Sequence, residues 1–112
     1  ISSGAARHPI ESWAPYCASK AAVDMFSQVQ QAENDYDSKN LKIFSIAPGI
    51  VDTNMQQHVR EAEPKDFPHI EKFIGYKTKG QLTSAESVAA KILEVIDKSE
   101  SHQNVLLDLR QL

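Results

Sequence analysis

Ala18, Ala22, Met25, Phe26 and Val29 recur at three- and four-residue spacing, a single apolar stripe on an otherwise polar stretch. The stripe predicts a helix over 14–37, with Pro15 in its first turn, where a missing N–H costs nothing. The polar run ENDYDSKN, residues 33–40, ends the pattern. LKIFSIAP, residues 41–48, is short, rich in Ile and Phe and closed by Pro48-Gly49, which predicts a buried strand. From 53 to 82 the periodicity weakens and Pro64, Pro68, Gly75 and Gly80 punctuate the chain, so short helices over parts of 53–62 and 68–76 are expected within one long excursion. Excursions of this length inside a compact domain usually serve as lids or binding loops. Thr83 and Glu86 are spaced as a capping box, and Val88, Ala89, Ile92, Leu93 and Ile96 predict the buried face of the helix that follows. NVLLDL, residues 104–109, reads as a final strand.

Strands that alternate with helices imply right-handed crossovers and a parallel sheet, hence an α/β fold. The chain begins ISSGAARHP, an apolar residue followed at once by a small, polar turn, without an initiator Met. This looks like the end of a strand whose beginning is missing, and the chain reads as the C-terminal part of a longer protein. Two strands and a strand end need neighbours, because parallel strands are buried on both faces.

Composition narrows the function classes. Hydrophobic residues make up 41% and charged residues 24%, as in ordinary globular proteins. The formal net charge of −3 gives no electrostatic case for nucleic acid or an anionic membrane as partner. No run approaches the ~18 apolar residues of a membrane span. The single cysteine, Cys17, cannot form an internal disulfide, which points to a reducing, cytoplasmic setting. His8, His58, His69 and His102 lack metal-ligand spacing, so no metal is expected.

Candidate chemistry begins in YCASK, residues 16–20. Tyr16 and Lys20 share a helix face at i and i+4, and an ammonium close to a phenol favours the phenolate, as a proton-exchanging group requires. Alone this spacing arises often by chance. Ser3 stands at a strand's C-terminal end, where open α/β sheets bind ligands, and APGIVDT, residues 47–53, leaves the next strand at the same edge. Singly, each of these also reads as an ordinary turn.

Together, ISS (1–3), YCASK (16–20) and APGIVDT (47–53) resemble, in order and spacing, the signature of the short-chain dehydrogenase/reductase family. The resemblance implies the C-terminal half of a Rossmann-type doubly wound parallel sheet, incomplete as given, with residues 1–112 forming the catalytic and substrate-binding part and 53–82 a substrate loop. It implies that Ser3 polarises a substrate carbonyl, that Tyr16 is the general acid in reduction, and that Lys20 tunes Tyr16 and bonds the nicotinamide ribose. Pro48, Gly49, Ile50, Val51 and Thr53 would hold the nicotinamide carboxamide. The family's Gly-rich phosphate loop has no counterpart, since the four glycines never cluster, and neither does the relay asparagine. Both belong to the family's N-terminal half.

SWAPYCASKAAVDMFSQV and APGIVDTNMQQHVRE are most similar to the branch of sepiapterin reductases and (S)-benzoin-forming benzil reductases. This implies an NADP(H)-dependent reductase of a ketone or diketone, NAD(H) remaining open, with Trp13 and the excursion lining the substrate pocket. Asp108 matches the substrate-anchoring aspartate of the sepiapterin enzymes, although the LRQL that follows departs from their pattern. Family members pair through the helix that begins near Tyr16, so a homodimer or homotetramer is expected. The competing reading is a non-catalytic dinucleotide-binding sensor or scaffold of the same fold.

Overall fold

Ser45, Ile46 and Ala47 are buried at every position, as a strand covered on both faces requires. In the computed structural model, which describes residues 1–112, they form β1 (Ser45–Ala47). The other elements are α1 (Ala14–Tyr36), α2 (Asn54–Arg60), α3 (Ile70–Thr78), α4 (Ala85–Asp97) and β2 (Leu106–Asp108), with 3-10 turns at Gly4–Ala6 and Ser99–Ser101. β1 and β2 are parallel, with Ser45 opposite Leu106 and Ala47 opposite Asp108. On the other edge of β1 the Ser2 N–H donates to the Ile46 carbonyl at 2.8 Å, so residues 1–2 run beside it as a strand end. The α/β class and the parallel sheet follow the sequence reading.

Both strands are shorter than 41–48 and 104–109. Before β1 the backbone is taken up by α1 instead of a neighbouring strand. Gln31 accepts from the Ile43 N–H at 2.7 Å and donates to the Leu41 carbonyl at 3.1 Å. The sheet packs on α4 through Ile46, Val88, Val95, Leu107 and Leu109, with Phe44, Val51 and Ile92 at the margin.

α4 meets this core along Val88, Ile92 and Val95, not along the wider set expected. Ala89, Leu93 and Ile96 lie about 100° further round the helix, and Leu93 and Ile96 are exposed. Its N-cap is Ser84, whose Oγ accepts from the Ser87 N–H at 3.2 Å, rather than Thr83. Thr83 is held extended by a parallel bridge to Val51, donating to the Ile50 carbonyl and accepting from the Asp52 N–H, each at 2.9 Å, so the helix starts one residue later.

The stripe on α1 also departs from a buried face. Met25, Phe26 and Val29 are exposed, while Asp24, Ser27 and Asn34 are buried. The packed side of α1 lies on the Gly4–Ala6 turn and β1, where the partners are polar. Asp24 accepts from Arg7 Nε at 2.9 Å and from Ser45 Oγ at 2.7 Å. Burial pushes the Asp24 carboxyl up, but the Ser2 hydroxyl, the Arg7 guanidinium and the Ser45 hydroxyl outweigh it and hold it below the ordinary carboxylate range.

The excursion builds a second cluster of its own, Phe67, Ile70 and Phe73, against which Trp13, Val59 and Tyr76 pack. Two separate clusters leave the chain extended. Its radius of gyration is 15.9 Å, against roughly 13 Å for a compact domain of this length.

Candidate active site

At the C-terminal edge of the sheet a cleft of about 550 Å³ opens between α1, the loop after β1 and α3. α1 places Tyr16 and Lys20 one turn apart on its wall, with Lys20 Nζ 5.8 Å from the centre of the Tyr16 ring. Lys20 Nζ donates to the Ile1 carbonyl at 3.0 Å, which ties α1 to the strand end carrying Ser3. Ser3 caps the Gly4–Ala6 turn, its Oγ accepting from the Ala5 N–H at 3.2 Å. That bond occupies a lone pair and leaves the hydroxyl proton to be donated elsewhere. Ser19 donates to the Tyr16 backbone carbonyl. Tyr16 lines the cleft, and its phenol hydroxyl makes no hydrogen bond within the protein.

Pro48 and Gly49 turn the chain sharply out of β1. Gly49 has φ +84°, which favours glycine, and a Cβ there would press on the Arg110 stem, 3.1 Å from Cγ and 3.2 Å from Cδ. Beyond it, Thr83 takes the Ile50 carbonyl and the Asp52 N–H. The Val51 N–H and carbonyl, between them, have no protein partner, and the Thr53 hydroxyl makes no cap bond. A donor and an acceptor on one extended residue match the acceptor and donor of a primary carboxamide. The residues present therefore fit the nicotinamide end of a dinucleotide.

Trp13 joins this wall to the excursion. Its ring stacks on Phe67 (5.2 Å, 17°), meets Tyr16 edge-on (5.4 Å, 82°) and leans on Phe73 (5.4 Å, 51°). Phe73 in turn meets Tyr76 at 5.4 Å. A second tether is the ion pair of Lys77 with Asp52, at 2.6 Å, which fastens α3 to the loop after β1.

Ser3, Trp13, Tyr16, Lys20, Pro48, Gly49, Ile50, Val51 and Thr53 all border one cleft. Asp108 does not: its carboxylate is held by Arg110, which does. The Arg110 hydrogen bonds, reinforced by the positive charge, keep the Asp108 carboxyl below its ordinary range against the effect of burial. Sequence reasoning missed Arg110 as a cleft residue, and assigned the excursion to the pocket without singling out Lys72, Phe73 or Tyr76. Only Arg110 had a local signal, an Asp-x-Arg pair just past a strand; the others depend on how the excursion folds back.

A family model described as short chain dehydrogenase matches residues 1–64. The chain is 40% identical over 107 residues to a benzil reductase ((S)-benzoin forming) of Bacillus cereus, covering 96% of this chain and 43% of that protein. It is 35% identical to the protein of the same name from Bacillus subtilis (strain 168), covering 94% and 43%. Against the sepiapterin reductase of Rattus norvegicus identity is 34%, covering 96% and 39%. A crystal structure of the KRED1-Pglu enzyme superposes with a TM-score of 0.77 at 30% identity, covering 88% of this chain and 40% of that one. The chain belongs to the short-chain dehydrogenase/reductase family, a family of oxidoreductases that use a nicotinamide dinucleotide, and has part of its Rossmann-like fold. It spans about two fifths of the length of the curated relatives it matches. None of its helices is long and apolar enough to cross a membrane.

Proposed function

We propose that residues 1–112 form the C-terminal catalytic and substrate-binding part of an NADP(H)-dependent carbonyl reductase that converts a ketone or diketone to an alcohol. The observation that carries this reading is the phenol hydroxyl of Tyr16, free of protein partners in a cleft it shares with Ser3 and Lys20.

In reduction the Tyr16 hydroxyl gives its proton to the substrate carbonyl oxygen as that carbon accepts a hydride, so the C=O bond becomes H–C–O–H. A nicotinamide held by the 48–53 loop and Lys20 would supply that hydride. Ser3, its lone pair already engaged by Ala5, directs its own O–H to the same oxygen and orients the carbonyl. The Lys20 ammonium offsets the negative charge left on the Tyr16 oxygen and has donors remaining for a ribose hydroxyl. Pro48 and Gly49 shape the turn, Ile50 and Val51 offer backbone groups to the carboxamide, and Thr53 offers a hydroxyl. Trp13 and the 53–82 substrate loop exclude water from the reacting carbon, and Asp108 acts on substrate through Arg110. The exposed Met25, Phe26 and Val29 support pairing of α1 in a homodimer or homotetramer, and the lone cysteine suits the cytoplasm.

The test is Tyr16→Phe in the intact protein, followed by NADPH absorbance on diketones. The expected result is a loss of kcat of about 10²- to 10⁴-fold, the usual worth of a general acid, with cofactor affinity within threefold of wild type. Wild-type turnover in the variant would overturn the assignment. Tight cofactor binding by the wild-type protein without reduction of any carbonyl would favour the sensor instead.

A further inference from the structure

Arg110 is held as a fork just past β2. Its Nε donates to Asp108 Oδ1 at 2.9 Å, its Nη2 to Oδ2, and its backbone N–H to Oδ1 at 3.0 Å. Guanidinium carries five N–H donors and no acceptor. Two are taken by Asp108, and the other three have no protein acceptor. The Asp108 carboxylate is only 10% exposed while the Arg110 side chain is 56% exposed, so the cleft meets the cationic edge of the pair.

The position of that edge is fixed from two sides. The side-chain methylenes lie across Gly49, and Nη2 is 3.9 Å from where a Gly4 Cβ would stand, directly beside Ser3. The guanidinium thus borders the cleft that Ser3 also lines, beside the Gly4 that follows it. The wider lining agrees in sign. Lys20, Lys72 and Arg110 border the cleft and no carboxylate does, in a chain with fifteen Asp and Glu.

We propose that Arg110, oriented by Asp108, is a specificity-determining residue that donates to a second oxygen on the carbon next to the reacting carbonyl. The site then selects 1,2-dicarbonyl substrates, diketones or 2-oxo acids, over simple ketones. A planar donor fork suits such an oxygen, whether carbonyl or carboxylate, and a substrate without it leaves the oriented donors unmatched. The proposal rests on the carbonyl reductase reading, with Ser3 at the reacting oxygen.

The experiment uses the intact, NADPH-loaded protein with three probes: benzil, phenylglyoxylate and deoxybenzoin, which lacks the second oxygen. Arg110→Met is expected to lower kcat/KM at least tenfold for benzil and phenylglyoxylate, and by a factor at least five times smaller for deoxybenzoin. Arg110→Lys, a point charge without the fork, is expected to recover phenylglyoxylate better than benzil. Equal losses on all three probes, or none, would overturn the proposal, as would a rise in the NADPH dissociation constant that accounts for the whole effect. Calorimetric titration of phenylglyoxylate into Tyr16→Phe protein, with and without Arg110→Met, reads binding apart from turnover. An Arg110-dependent affinity with no reduction by the wild-type protein would sink the reductase reading, and with it Arg110's part in substrate selection, leaving only its contact with the dicarbonyl. Reduction with an Arg110-independent affinity would sustain the reductase reading and overturn the proposal.

Discussion

The two hydrophobic clusters differ in chemistry and in what they hold. Under the sheet the contacts are aliphatic: Ile46, Val88, Val95, Leu107 and Leu109 join β1, β2 and α4. At the cleft they are mainly aromatic: Phe67 and Phe73, beside Ile70 and with Trp13 and Tyr76 against them, join the start of α1 to the excursion. Branched side chains fill a parallel sheet's face and fix strand register. Flat rings give large contact area with few torsions to freeze, and leave π faces at the cleft. One cluster sets where Ser3 and Gly49 stand. The other closes a wall over Tyr16 with a segment otherwise tied to the sheet edge chiefly by Lys77–Asp52 and the Val51–Thr83 bridge.

If that division holds, truncations in the two clusters should fail differently. Leu107→Ala is expected to destabilise the intact protein by about 3 kcal/mol, the range for a buried Leu, seen as a lower urea midpoint of the whole cooperative transition. Loss confined to the excursion would contradict a scaffold role. Phe67→Ala should cost about 3 kcal/mol, the low end for a buried Phe, because its cluster is smaller and bordered by solvent. The expected signature is faster protease cleavage within 53–82 and a higher KM for aromatic ketones, with the sheet's hydrogen exchange unchanged. Slowed chemistry at unchanged KM would remove the aromatic wall from the substrate's path.

Asp24 sharpens the scaffold side. Its carboxyl lies below the ordinary range in the folded state, so its stabilising contribution is complete above the unfolded value near pH 4 and is lost as pH falls through the lower folded value. Asp24→Asn should cost about 1–2 kcal/mol at neutral pH by weakening the Arg7 and Ser45 bonds. The gap to wild type should shrink below pH 4, and a gap constant down to pH 2 in chemical unfolding would exclude the carboxylate's charge as its source. The smallest effect is expected from Lys77→Ala. Its ion pair with Asp52 is about half exposed, so global stability should move by no more than about 0.5 kcal/mol. A change above 1 kcal/mol would make this surface tether part of the scaffold.

Much of this arrangement was legible in the chain. The α1 boundaries were readable because a long stripe, a Pro in the first turn and a polar stop agree with one another. Ser3, Tyr16, Lys20 and the 48–53 loop could be nominated together because, in order and spacing, they resemble the family's signature; singly, each read as an ordinary turn or a chance spacing. The strand ends at 41–44 were misread because Gln31, twelve residues before Ile43, claims the backbone there, and no local pattern reports a partner at that distance. The Thr83 cap was misread for a similar reason, since the bridge to Val51 keeps that residue extended.

The sequence by itself determined the fold class, the order of elements and the residues offered to the sheet edge, because period, turn chemistry and capping act over a few residues. Which side of each helix is buried was decided only by tertiary structure. Asp24 turned inward because Arg7 and Ser45 wait for it there, while Met25 and Phe26 face out for want of an apolar neighbour. The same holds for the cleft's far wall. Phe73 and Tyr76 come from α3 and Arg110 from the chain's end, and only the folding back of those two segments brings their rings and charge to the cleft that Tyr16 lines.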